Sequence, residues 1–224
     1  MYKVIVFDVF GTLFDVMSIK DKVGELNKEH ATEITNLWRK TQLYHATLRQ
    51  VMERYTRYDE ITKNALRHTL EVYNVPYNRD DINELFNGYQ NLEYFKEVPK
   101  SLAELNDKPL DLAILSNGND NMLRALVDNS EIAEYFNSVM SVDEVKQYKP
   151  SPASYALVLN YYKVKRSEIL FVSSNSWDVT GAENFGFDTA WVNRRNDLFD
   201  DNGVKPTIAV NNLHELVKWI EINR

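Results

Sequence analysis

Reactive side chains stand directly after three apolar runs of this sequence. Asp8 follows VIVF, Ser116 and Asn117 follow LAIL, and the triplet Ser173 to Asn175 follows ILFV. A carboxylate at the end of a buried strand pays a desolvation cost unless its charge is paired or used. Asp8 is therefore a candidate for chemistry, and an aspartate that merely caps a turn is the alternative.

The residues after Asp8 suit the support of a nucleophile. In Phe10-Gly11-Thr12 the glycine permits a tight loop that turns backbone amides and a hydroxyl toward the carboxylate. Such donors hold a carboxylate in its ionised form, which is the form that attacks. We interpret Asp8 as the nucleophile of covalent catalysis.

The spacing of apolar residues predicts the elements that position these side chains. Apolar, β-branched runs predict strands over residues 3–7, 112–115, 169–172 and 189–192, and amphipathic patterns predict helices over 119–129, 152–162, 179–185 and 213–222. This βαβ alternation is typical of a doubly wound, parallel α/β fold. Ligands bind outside the carboxyl ends of such strands. We therefore expect the polar residues that follow the strands to lie in one binding site together with Lys149.

Residues 15–98 interrupt the alternation. They hold amphipathic stretches such as 31–49 and 59–73 and no convincing strand. We therefore predict an inserted helical cap domain over 15–98 and an α/β core domain over 1–14 and 99–224.

Composition narrows the functional class. A chain of 224 residues with 44% hydrophobic composition can bury a substantial core, and a net charge of −7 disfavours nucleic acid or an anionic membrane as a partner. Without cysteine there is no disulfide or thiolate chemistry, which favours the cytoplasm, and the four histidines lack metal-binding spacing. The first apolar run has no cleavage site and no run reaches the length of a membrane span, so we expect an unprocessed protein outside the membrane.

Four motifs occur in the order found in the haloacid dehalogenase superfamily. They are DVFGTLFD, LSNG, YKPSPASY and FVSSNSWDVTGAENFGF. With the stretch LWRKTQLYHATLRQVMERYTRY, the chain most resembles the L-2-haloacid dehalogenases over nearly its whole length. The resemblance implies a Rossmann-like core with a helical cap, and hydrolysis of small L-2-haloalkanoic acids to D-2-hydroxyalkanoic acids and halide.

The resemblance also implies residue roles. Asp8 would be the nucleophile, Arg39 would receive the halide and orient the carboxylate, and Lys149 would steady Asp8 and the substrate. The carboxylate of Asp8 and the hydrolytic water would be supported by Thr12, Ser173, Asn175 and Asp178. The substrate would contact Phe10, Ser116, Asn117 and Tyr155. Its alkyl group would lie against an apolar wall of Leu43, Tyr58 and Trp177. A solvated helix arginine is the alternative for Arg39, and a loop lysine is the alternative for Lys149.

Departures from the superfamily's phosphatases favour carbon–halogen chemistry. Those enzymes carry a second aspartate two residues after the nucleophile, where this chain has Phe10, and they bind Mg²⁺ through acidic residues, where this chain has Ser173 to Asn175 before a lone Asp178. Halide needs stabilisation but no proton, so a general acid is unnecessary. We therefore expect neither a metal nor another cofactor. A phosphatase and a noncatalytic binder of small carboxylates are the alternatives.

Two departures from the better-known dehalogenases bear on the substrate. Phe10 stands where a tyrosine is expected, and Lys40 stands where a neutral glutamine is expected. Lys40 either adds a cation near the halide or points into solvent. Relatives are often homodimers, and we expect the same here.

Overall fold

A six-stranded, fully parallel sheet forms the centre of the computed structural model, which describes residues 1–223. Its strands are β1 (Val4–Phe7), β2 (Asp111–Ser116), β3 (Ser138–Ser141), β4 (Ile169–Ser173), β5 (Asp188–Val192) and β6 (Ile208–Val210). Their order across the sheet is β3-β2-β1-β4-β5-β6, and each neighbouring pair is parallel. This topology confirms the predicted doubly wound α/β fold.

Strand β1 lies in the middle of the sheet because it is apolar along its whole length. Residues 4–7 are almost completely buried, and β1 pairs with β2 on one side and with β4 on the other. The chain reverses its direction across the sheet at β1, which makes the carboxyl end of this strand a topological switch point. Asp8 follows directly, and its backbone N–H still donates to the carbonyl of Val172 at 2.9 Å.

The sequence analysis does not predict two of the strands, β3 and β6. Strand β3 reads SVMS and lies at an edge of the sheet, so it lacks the continuous apolar run of a central strand. Strand β6 has three residues and lies at the other edge. Edge strands this short carry too little pattern for recognition.

Nine α-helices are described within residues 1–223. They are α1 (Lys20–Leu26), α2 (Ala31–Val51), α3 (Tyr58–Val72), α4 (Arg79–Tyr89), α5 (Val98–Asn106), α6 (Asp120–Leu123), α7 (Pro152–Tyr162), α8 (Ser176–Phe185) and α9 (Leu213–Asn223). The helix predicted over 119–129 is shorter as an α-helix, because α6 passes into a π-helical turn at Arg124–Asp128. None of the described helices is long and apolar enough to cross a membrane.

Helices α1 to α4 lie between β1 and β2 in the chain, and we call them the helical segment. Two stretches connect it to the sheet, and they pair with each other: the backbone N–H of Asp15 donates to Glu93 at 2.8 Å, and that of Phe95 donates to Leu13 at 3.0 Å. Helix α5 begins at Val98, the last residue of the predicted cap. The division into domains stays a prediction, and residue 224 of the predicted core lies outside the described residues.

Candidate active site

The carboxylate of Asp8 accepts hydrogen bonds from side chains of three loops. Its Oδ1 accepts from Lys149 Nζ at 2.8 Å. Its Oδ2 accepts from Asn175 Nδ2 at 2.8 Å, from Thr12 Oγ1 at 3.0 Å and from Ser173 Oγ at a long 3.5 Å. Among residues 1–223, Oδ1 thus has a single donor and Oδ2 has three.

Lys149 places its ammonium group between two carboxylates. Besides Asp8 it donates to Asp178 Oδ2 at 2.7 Å and to the backbone carbonyl of Leu115 at 3.0 Å, which uses all three of its N–H bonds. Its side chain is 0% exposed. Burial opposes the charge, but Asp178 and then Asp8 raise the pKa of Lys149 above its ordinary value. The ammonium therefore persists at this fully buried position.

Asp178 is the second carboxylate of this group and is held by Tyr155. The Tyr155 hydroxyl donates to Asp178 Oδ1 at 2.8 Å, and the carboxylate is fully buried. Burial raises the pKa of Asp178, Lys149 opposes the shift, and Asp8 raises it again, to about 6. Asp178 therefore accepts a proton more readily than an ordinary aspartate.

The loop after β1 turns sharply so that Thr12 reaches Asp8. Gly11 adopts a φ of +87°, a conformation that glycine tolerates without a steric penalty, and its N–H donates to the carbonyl of Phe14 at 2.8 Å. Thr12 Oγ1 accepts from the backbone N–H of Ser174 at 2.9 Å while it donates to Asp8. The hydroxyl therefore joins the loop after β1 to the loop after β4.

Arg39 extends from α2 to the loop that carries Phe10. Its Nη2 donates to the Phe10 carbonyl at 3.1 Å. Its Nη1 lies 2.8 Å from Gln42 Oε1, 3.2 Å from the Tyr58 hydroxyl and 3.5 Å from the Tyr89 hydroxyl. The guanidinium thus faces the region of Asp8, and its hydrogen bond to the Phe10 carbonyl connects α2 to the loop after β1.

Ser116 and Asn117 at the end of β2 are both buried beside Lys149. The Asn117 side-chain oxygen accepts the backbone N–H of Lys149 at 2.9 Å, which fixes the start of the lysine loop. Ser116 Oγ accepts from the backbone N–H of Gly118 at 3.1 Å, so its own hydrogen remains free to donate.

The expected apolar wall is only partly apolar. Leu43, one turn after Arg39, and Trp177, in the first turn of α8, are half-buried and form no side-chain hydrogen bond within residues 1–223. Tyr58 is buried, but its hydroxyl bonds to Arg39. Lys40 is exposed to solvent, so the sequence departure at this position adds no buried cation.

Arg194, which the sequence reading missed, braces the loops that carry the site. Its guanidinium donates to the Thr12 carbonyl at 2.9 Å, to Ser174 Oγ at 3.0 Å and to Glu97 at 2.8 Å, and it stacks 3.8 Å from the centre of the Phe95 ring. In the sequence it stands beside a second arginine after β5, and no spacing distinguishes the two.

The side chains around Asp8 do not suit a divalent metal. Within residues 1–223 no group of three or more His, Asp or Glu side chains is arranged to hold a metal ion. Asp8 and Asp178 both direct an oxygen at the ammonium of Lys149, at 2.8 and 2.7 Å. A hard octahedral cation would need those same oxygens as ligands, and the ammonium of Lys149 already occupies them.

Known proteins resemble this chain over nearly its whole length. A family model described as haloacid dehalogenase-like hydrolase matches residues 2–186. The (S)-2-haloacid dehalogenase 2 of Pseudomonas sp. (strain CBS-3) is 40% identical over 212 residues, which are 95% of this chain and 93% of that protein. The (S)-2-haloacid dehalogenase of Pseudomonas sp. (strain YL) is also 40% identical, over 98% of this chain and 94% of that protein.

A solved structure agrees with the fold. The L-2-haloacid dehalogenase of Xanthobacter autotrophicus, solved with chloropropionic acid covalently bound, superposes with a TM-score of 0.94 at 34% identity and covers 99% of both chains. The sequence motifs, the six-stranded parallel sheet and the family match agree with one another. The chain therefore belongs to the haloacid dehalogenase-like hydrolase family.

Proposed function

We propose that this protein hydrolyses short L-2-haloalkanoic acids to D-2-hydroxyalkanoic acids, through an aspartyl ester on Asp8 and without a metal. The observation that carries this proposal is the ammonium of Lys149, which lies 2.8 Å from Asp8 and 2.7 Å from Asp178. It supplies the positive charge that a metal provides in other hydrolases. The relatives that are named (S)-2-haloacid dehalogenases support the choice of substrate class.

In the first step, Oδ1 of Asp8 attacks C2 of the substrate. This oxygen has one donor against three on Oδ2, so it keeps the more available lone pair. The new C2–O bond forms as the carbon–halogen bond breaks in line, and the bonding pair leaves with the halide. Arg39 receives the halide, and Ser116 and Asn117 bind the substrate carboxylate. One in-line displacement inverts C2.

In the second step, water attacks the acyl carbon of the ester. The developing charge falls on the former Oδ2, which already accepts from Asn175, Thr12 and Ser173. Donors that are aimed at an oxyanion before the reaction lower the barrier to its formation. Asp178, with its pKa of about 6, takes a proton from the attacking water and returns it to the former Oδ1, which leaves as the hydroxyl of the product alcohol while Asp8 regains its carboxylate.

Halide release in the presence of EDTA tests the proposal. We expect the release of chloride from L-2-chloropropionate at a rate that chelation does not change, because the ammonium of Lys149 lies between the two carboxylates that a metal ion would bind. Phosphate release from p-nitrophenyl phosphate that needs Mg²⁺, with no halide from 2-chloropropionate, would identify a phosphatase. Binding of 2-chloropropionate with neither product would identify a noncatalytic carboxylate binder.

We further propose that the helical segment acts as the cap and that the protein is a homodimer. The cap contributes Arg39 to a site whose other groups follow the strands. Four exposed apolar residues line one side of α2 and its C-cap and provide a surface for association: Tyr44, Leu48, Val51 and Met52. The mass in solution, measured by light scattering, tests this, and a monomer at micromolar concentration would exclude it.

A further inference from the structure

The hydroxyl of Tyr58 retains a hydrogen that it can donate beside Arg39. Tyr58 is the first residue of α3 and is 1% exposed. Its oxygen accepts from Arg39 Nη1 at 3.2 Å, but no atom of residues 1–223 accepts its O–H. A buried donor without an acceptor costs free energy, so an acceptor on a ligand would be favoured at this point.

The other hydroxyl at the same guanidinium is already engaged. Tyr89 donates to Gln42 Oε1 at 3.0 Å, and the amide of Gln42 donates to Thr62 Oγ1 at 2.6 Å. Thr62 in turn donates to the backbone carbonyl of Tyr58 at 2.7 Å. This chain of bonds holds Gln42 and Tyr89 in place and leaves the Tyr58 hydroxyl as the free donor of the group.

Tyr58 keeps its proton over the working range of an enzyme. Burial raises the pKa of Tyr58 well above its ordinary value, and Arg39 opposes this shift only in part. The hydroxyl therefore acts as a donor of hydrogen bonds and not as a base. Its ring lies 6.3 Å from that of Phe10, whose backbone carbonyl holds Arg39.

We propose that the Tyr58 hydroxyl donates a hydrogen bond to the departing halide beside Arg39 and so favours substrates with small, hard halogens. The inference rests on the proposed dehalogenation and deepens it. As the carbon–halogen bond breaks, its electron pair moves onto the halide, and no proton is transferred. Charge density falls from fluoride and chloride to bromide and iodide, so the smaller halides gain most from an O–H donor. Tyr58 is then a determinant of halogen specificity.

The substitution Tyr58→Phe tests this inference because it removes only the hydroxyl. The measured quantity is kcat/KM for L-2-chloropropionate and L-2-bromopropionate, which reports the steps up to halide displacement. We expect a fall of about tenfold for the chloride substrate and about threefold or less for the bromide substrate. Arg39 keeps Gln42, Tyr89 and the Phe10 carbonyl as partners, so the guanidinium stays in place.

Tyr148→Phe is the matched control. Tyr148 is buried with its ring 5.6 Å from that of Tyr58, but its hydroxyl donates to the backbone carbonyl of Thr56. Its chloride-to-bromide ratio should equal that of the wild type. Equal losses on both substrates in Tyr58→Phe would mean that the hydroxyl only positions Arg39, and an unchanged ratio without loss would also overturn the inference. If the wild type releases neither halide, the proposed function itself fails.

Discussion

At the scale of single residues, the site is a balanced group of buried charges. Lys149 neutralises part of the charge of Asp8 and Asp178, and Arg39 adds a second cation on the side of the helical segment. An isolated buried charge would cost several kcal/mol, whereas a paired and fully hydrogen-bonded one persists. In the proposed mechanism, this balance of charge lets Asp8 act beside an anionic substrate with no metal.

We expect Asp178 to make the proposed activity depend on pH. Its pKa is raised to about 6, and in its ionised form it both accepts the Lys149 hydrogen bond and can take a proton from water. Protonation occurs as the pH falls, so kcat should decrease below about pH 6 with the slope of a single proton. A pH profile of kcat on L-2-chloropropionate measures this.

Asp178→Asn provides the control for that profile. The amide cannot be protonated in this range, so the variant should keep a low kcat with no inflection near pH 6. Glu215 offers a comparison because it is a carboxylate of α9 whose bonds are to Asn211 and not to Asp8 or Lys149. If the inflection near pH 6 survives in Asp178→Asn and disappears in Glu215→Gln, the titrating group is Glu215 and not Asp178, which would contradict this prediction.

At the scale of elements, Arg194 connects loops that the sheet alone does not fix. It bonds to Thr12 after β1, to Ser174 after β4 and to Glu97 just before α5. Arg194→Lys keeps the charge but lacks the fork of N–H donors. We expect a fall in kcat of about tenfold to a hundredfold with a much smaller change in KM, because displaced loops misalign Asp8.

Arg195→Lys is the matched control for Arg194→Lys. Its side chain is 81% exposed and, in the described part of the chain, pairs with Asp197 alone. It should turn over like the wild type. Added guanidinium ion should partly restore kcat in Arg194→Ala, which a general loss of folding would not allow. Wild-type kcat in Arg194→Lys would show that the contacts to these loops are dispensable.

The packing of α8 against the lysine loop depends on Gly181. A Cβ at this position would lie 2.5 Å from the Pro150 Cβ and 2.5 Å from the Tyr155 hydroxyl. Gly181→Ala should therefore lower the free energy of unfolding by about 1–3 kcal/mol and lower kcat, since it displaces the support of Asp178. Gly24→Ala is the control, because its Cβ would meet only Ala31 at 3.7 Å. Equal denaturation midpoints for the two variants would contradict this account.

The sequence predicts the central elements of the fold better than its edges. Long apolar runs predict β1, β2, β4 and β5, and the rule that ligands bind beyond strand ends predicts that Asp8 lies near Lys149. Edge strands β3 and β6 are too short to show a pattern. The bonds of Arg194 depend on how loops distant in sequence meet, which spacing along the chain does not encode.

At the scale of the whole molecule, the site lies where two parts of the chain meet. The sheet supplies Asp8 and Lys149, and the helical segment supplies Arg39 and Tyr58. Asp8 is only 4% exposed, so we expect a substrate to reach it when the two parts separate. The paired stretches around Phe14 and Tyr94 are the covalent connections about which such a movement would occur.

The most direct test of the covalent mechanism follows one oxygen atom through a single turnover. Enzyme in excess is mixed with L-2-chloropropionate in ¹⁸O water, and the product and the Asp8 peptide are analysed by mass spectrometry. Because water attacks the acyl carbon of the ester, the hydroxyacid should be largely unlabelled, should have the D configuration, and Asp8 should gain the label. A labelled hydroxyacid with an unlabelled Asp8 would show that Asp8 only activates water, and it would contradict the covalent mechanism.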